Sequence, residues 1–177
     1  MTAYPEAGRY VCIQTSGLVP WVIRRATHSW ADHVAIVTDP GGGTIEAEPG
    51  GVRRGHLDTY TGCRMAANTG EPLSATRRAT IATEALAMLG VPYNDLAIAD
   101  DALAALGWHW RLLAKLAAGD HEVVCSQLAV ILGAKAGLDW QCGKPTPAEV
   151  TPGDLARRQW MRPWSAGLPP AATLPTA

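Results

Sequence analysis

The segment from residue 33 to residue 48 constrains this chain more than any other. His33-Val34-Ala35-Ile36-Val37-Thr38 is rich in β-branched residues, and Thr44-Ile45-Glu46-Ala47-Glu48 alternates apolar with polar positions. Between them lies Asp39-Pro40-Gly41-Gly42-Gly43, a run of breakers that marks a turn. Two strands joined so closely pair antiparallel. Side chains alternate along a strand, so His33, Ala35 and Val37 share one face, and Glu46 and Glu48 share one face. With Val37 opposite Thr44, His33 lies opposite Glu48, and Glu46 lies one step diagonal on the same side. Either carboxylate can then accept from the imidazole. Parity cannot choose between them, because any regular register keeps both together.

A second stretch carries a candidate nucleophile. In His121-Glu122-Val123-Val124-Cys125-Ser126-Gln127-Leu128, two β-branched residues lead into a cysteine. Leu128, Ile131, Leu132 and Ala134 then recur at helical spacing, with Gly137 as a stop. Cys125 therefore falls on or beside the first turn of a buried helix. Free backbone N–H groups and the macrodipole favour an anion there, and the thiolate is the reactive form. A buried cysteine that only fills space reads the same way in isolation. A base within reach separates the two readings.

Of the five histidines, His28 and His56 fall in loops, and His109 and His121 near helix ends. His33 stands on a strand, a rigid mount, although a polar residue at a strand start can equally be its solvent-facing end. A metal site from His28, His33, His56 and carboxylates lacks an HExxH-like spacing, so no metal and no cofactor is expected.

Elsewhere, residues 9–14 read as a first strand, and 20–25 as a short helix with Trp21 and Val22 inward. Val52-Arg53-Arg54 begins another strand, Leu57 to Tyr60 a short turn or helix, and Arg64 to Ala67 a further strand. Ser74 caps a helix reaching Leu89, with Ile81, Ala82, Ala85, Leu86 and Leu89 as its apolar stripe. Residues 96–106 and 108–118 read as a helical hairpin broken at Gly107, its second half either a cover for the core or a lid that touches substrate or membrane. Thr151 caps a short helix ending near Trp160. From Pro163 onward Pro and Ala dominate, so residues 1–163 form a single domain and 164–177 a poorly ordered tail.

Bulk properties exclude some classes. A chain of 177 residues, 47% hydrophobic and 18% charged, has material for one sizeable core. Its net charge of -1 gives no nucleic-acid footprint. No apolar run is long enough to cross a membrane, and the first residues carry no export signal, so synthesis in the cytoplasm is expected. The four cysteines, Cys12, Cys63, Cys125 and Cys142, form no Cys-x-x-Cys pair, which favours a reduced protein without zinc.

Five segments together resemble a known family. They are HVAIV (33–37), IEAEPGGV (45–52), LGVPYND (89–95), VVCSQLA (123–129) and VTPGDLA (150–156). In this order they are similar to the permuted, YiiX/YaeF-like branch of the NlpC-type papain-like cysteine hydrolases. There the cysteine helix follows the histidine hairpin. Cys12, which would fit the unpermuted order, lies in a strand pattern with no helix start. The resemblance implies an α+β fold: a small antiparallel sheet or half-barrel packed against helices, among them the nucleophile helix. It implies Cys125 as nucleophile, His33 as general base and Glu46, in its Ile-Glu-Ala context, as third residue ahead of Glu48. Tyr93 and Tyr60 are candidate phenolic helpers.

The implied chemistry is cleavage of an amide bond through a thioacyl-enzyme. Substrates of that class are peptides, peptidoglycan stem peptides and acyl-amides or lipids. A thiol acyltransferase or lipid hydrolase on the same site, or a non-catalytic binding module on the scaffold, are the alternatives.

Overall fold

The computed structural model describes residues 4–48, 51–91 and 122–165. Among the described residues, six strands form one antiparallel sheet: β1 (Tyr10–Gln14), β2 (His33–Val37), β3 (Gly43–Glu48), β4 (Gly51–His56), β5 (Arg64–Ala67) and β6 (Arg162–Trp164). Their spatial order is β4-β3-β2-β1-β5-β6. Helix α1 (Leu18–Thr27) links β1 to β2, and a 3-10 turn (Leu57–Tyr60) follows β4. Helices α2 (Ala75–Ala87) and α3 (Glu122–Lys135) come next, then a short helix α4 (Pro152–Ala156).

The sheet is buried on both faces, which is why Tyr10-Val11-Cys12-Ile13 is apolar without a break. Tyr10, Cys12, Val34, Ile36, Ile45 and Ala47 face one core, shared with Ile81 and Ala85 of α2 and Leu128, Ala129 and Leu132 of α3. Val11, Ile13, Ala35, Val37, Met65 and Ala67 face a second, smaller core with Leu57 and Tyr60. Alternation along each strand sorts its residues between the two cores.

Helix α3 is pinned at both ends. Near its start, Ser126 Oγ donates to the Val150 carbonyl at 2.5 Å. Near its end, Gly133 admits the Trp140 indole, against which a Cβ would stand at 2.7 Å. Trp140 is fully buried, and its Nε1–H is shared by the two carboxylate oxygens of Glu71 at 3.0 and 3.1 Å. Asn68 and Arg158 complete the pairing of that buried carboxylate.

The hairpin register is the one read from the sequence: Val37 pairs with Thr44 and Ile36 with Ile45. Ser74 caps α2 through the Arg77 N–H, and Thr151 caps α4. Two expectations are corrected. Trp21 points outward and is 53% exposed, so α1 does not turn it to the core. Pro163 and Trp164 do not begin a loose tail but pair with Ala66 and Met65 at the sheet edge. Pro163 is tolerated there because an edge strand has a side on which no N–H is needed. The hairpin expected over 96–118, and the tail from 166 on, lie outside the described residues. Among the described residues, no helix is long and apolar enough to cross a membrane.

Candidate active site

His33 is the first residue of β2, and the chain just before it is tightly held. The carboxylate of Asp32 is fully buried. It accepts from the Thr15 N–H at 2.9 Å and the Thr15 hydroxyl at 2.6 Å, and it pairs with Arg24. Strand β1, helix α1 and the start of β2 are therefore tied together one residue from the imidazole.

Across the hairpin, Glu46 meets His33 at 2.7 Å between Oε2 and Nε2. Glu46 is 2% exposed. Burial alone would raise its pKa, but hydrogen bonds from His33, Thr44 and Tyr60 outweigh burial and hold the carboxyl below its ordinary range. An ionised carboxylate only accepts, so Nε2 carries the proton and donates. The Thr44 hydroxyl donates to the other oxygen, Oε1, and the Tyr60 hydroxyl donates to Oε2 beside the imidazole. Room for this carboxylate comes from Gly55, directly opposite Thr44 on β4, where a Cβ would stand 2.1 Å from Glu46 Oε1.

The sulfur completes the cluster. Cys125 lies on the first described turn of α3 and is 1% exposed. Its side chain lies close enough to His33 to act on the imidazole. With Nε2 committed to Glu46, Nδ1 is the ring nitrogen left for the sulfur. Burial works against a charged imidazole here, yet the interactions with Cys125 and Glu46 prevail and push the His33 pKa up to about 10. Cys125 belongs to the core under α3, whereas His33 has the parity of Ala35 and Val37 on the other face. The two meet where β2 begins rather than across the body of the sheet.

The predicted residues sort clearly. Cys125, His33 and Glu46 lie together, and of the two carboxylates Glu46 is the one hydrogen-bonded to the imidazole. Glu48 lies beside them, paired with Arg53 across β3 and β4. Tyr60 joins the cluster in a different role from the one expected, since its hydroxyl is engaged by Glu46. Burial and the adjacent Glu46 charge raise the Tyr60 pKa, so the phenol stays a donor. Tyr93 lies outside the described residues. Cys12 is fully buried in β1, and burial pushes its thiol well above the ordinary range. Cys12, Cys63 and Cys142 are free thiols. Thr44 and Gly55 escaped the sequence reading. Their signal is a register offset: both sit one ladder step from Glu46.

One donor set was also missed. One ligand atom from each of His33, Glu46 and Glu48 can be chosen so that all lie within 4.8 Å of one another. One imidazole nitrogen and two carboxylates suit a divalent transition metal.

No protein-family model and no curated protein matches this chain. Among solved structures, one similar to it is a crystal structure of metalloprotein yiiX from Escherichia coli O157:H7. The match covers 91% of this chain and 97% of that one, with a TM-score of 0.58 and 17% identity. The two proteins share a fold. At that identity the likeness to yiiX extends to the path of the backbone, not to its ligands or chemistry.

Proposed function

We propose that the protein is a cysteine hydrolase of amide bonds, built on a permuted NlpC-type, papain-like plan. The observation that carries this reading is the convergence of Cys125 and Glu46 on the two sides of one imidazole. Glu46 fixes the tautomer and orientation of His33 through Nε2–H, leaving Nδ1 to manage the proton of the sulfur.

In the first half-reaction the Cys125 thiolate attacks the carbonyl carbon and forms a C–S bond. The imidazolium gives its Nδ1 proton to the departing amine as the C–N bond breaks. In the second, His33 takes a proton from the water that attacks the thioester carbonyl; the C–S bond breaks, the carboxylic acid leaves, and the Cys125 thiolate beside the imidazolium is restored. Backbone N–H groups at the start of α3 supply the oxyanion donors in this reading, a contribution of ~3 kcal/mol per donor in other enzymes. Substrates are peptide-like or acyl-amide compounds, peptidoglycan stem peptides among them.

The test is capture of the intermediate on a panel of peptide and acyl-amide substrates. Mass spectrometry is expected to find the acyl group on Cys125 and none in Cys125→Ala, whose turnover is abolished while its circular dichroism is unchanged. Turnover that persists in Cys125→Ala removes the proposal.

A further inference from the structure

We propose that His33, Glu46 and Glu48 form a binding site for one divalent transition-metal ion of the zinc class, and that this ion and the His33–Glu46 hydrogen bond exclude each other. The regulatory consequence rests on the hydrolase reading above, whereas the binding itself does not.

Strand geometry brings the donors together. Glu46 and Glu48 are two residues apart on β3 and point the same way, and His33 faces them from the neighbouring strand. One ligand atom from each lies within 4.8 Å of the others, near enough for small side-chain shifts to bring all three onto one small cation. Access comes from the Glu48 side, where the side chain is 22% exposed. There a cavity of about 280 Å³ opens beside the carboxylates, lined also by Arg53, Arg54, Thr59 and Tyr60. Imidazole with two carboxylates suits zinc, manganese or iron, whereas magnesium and calcium favour all-oxygen sites.

The competing contacts can yield. Arg53, which pairs with Glu48, is 62% exposed, so its guanidinium can swing into water. Glu46 keeps its bonds from Thr44 and Tyr60 while turning a lone pair to the ion. What cannot persist is the 2.7 Å bond from Nε2 to Glu46, because the ion takes the lone pair that otherwise holds the proton. A bound ion therefore displaces the arrangement that orients His33 for Cys125, and acts as a reversible inhibitor.

The test is titration of the full chain with cobalt(II) and zinc(II), read by calorimetry and visible absorption. One ion per chain is expected, with weak visible bands and no thiolate charge-transfer band. Affinity is expected to fall by more than ~10-fold in Glu48→Gln, since even outer partners of a metal ligand cost that much. It is expected to survive in Cys125→Ala, which has no catalytic thiol and so separates metal binding from the fate of the hydrolase reading. Circular dichroism of Glu48→Gln checks that the fold is kept. Absence of binding, binding unchanged in Glu48→Gln, or binding lost in Cys125→Ala each overturns the proposal.

Discussion

The carboxylate of Glu46 occupies the space that a side chain at residue 55 would need. A Cβ on Gly55 would stand 2.1 Å from Glu46 Oε1 and 2.8 Å from the Thr44 hydroxyl. Gly55→Ala is therefore expected to expel Glu46 from its contact with His33. Overpacking of this kind costs ~1–3 kcal/mol of stability. Hydrolysis should fall further than that cost explains, since the orienting group is displaced. Rates and thermal melts of the variant check this: a variant with normal activity would show that Glu46 is not needed where it stands.

The pairing of His33 with Glu46 sets a pH window. The folded His33 pKa, about 10, lies above its ordinary value of 6.5. Its contribution to stability is complete below pH 6.5 and is lost as pH rises through about 10. Glu46 is shifted the other way, so its contribution is present above its ordinary value of 4.5 and is lost as pH falls through the lower folded value. Urea midpoints should therefore decline on the alkaline side, and the decline should be smaller in Glu46→Gln. Equal alkaline slopes in the two proteins would contradict the pairing.

Gly133 offers a test in the opposite sense to helix propensity. Alanine in a helix interior is normally better than glycine by ~1 kcal/mol. Here the added methyl meets the Trp140 indole at 2.7 Å. Gly133→Ala is expected to lower the melting temperature and to alter tryptophan emission as Trp140 leaves its contact with Glu71. A stabilised variant would mean that the indole has room to retreat.

The cap of α4 bears on the site indirectly. Asp154 Oδ2 accepts from the Thr151 N–H at 2.9 Å, and Thr151 Oγ1 accepts from the Asp154 N–H at 3.2 Å. The adjacent residue, Val150, holds Ser126 beside Cys125. Thr151→Ala should cost ~1 kcal/mol. Burial opposes ionisation of Asp154, but bonds from Thr151 and Arg157 prevail and hold its carboxyl below the ordinary range. That contribution is present above its ordinary value of 3.8 and disappears as acid brings the pH through the folded value. Acid denaturation of Asp154→Ala, compared with the parent, reads it directly.

The hairpin register, the Ser74 cap and the cysteine helix were legible because each has a short-range cause: strand alternation, a side-chain oxygen before a helix, apolar spacing. The choice of Glu46 over Glu48 was not legible from the strand itself, because both share a face. What places Glu46 rather than Glu48 against the imidazole includes Gly55 and Tyr60, which reach Glu46 from later in the chain. Trp21 was misplaced because α1 has only ten residues, and so short a pattern does not fix which face is covered. Strand β6 was missed because proline suggests a tail, while the edge position that tolerates it is a property of the finished sheet.

The groups around the imidazole, Asp32, Thr44, Glu46 and Tyr60, all come from one continuous stretch, residues 32–60. The sulfur belongs to a helix that starts near residue 122. During synthesis the residues around the imidazole thus emerge before the sulfur does. On the proposed reading, the nascent hairpin is chemically idle until α3 docks.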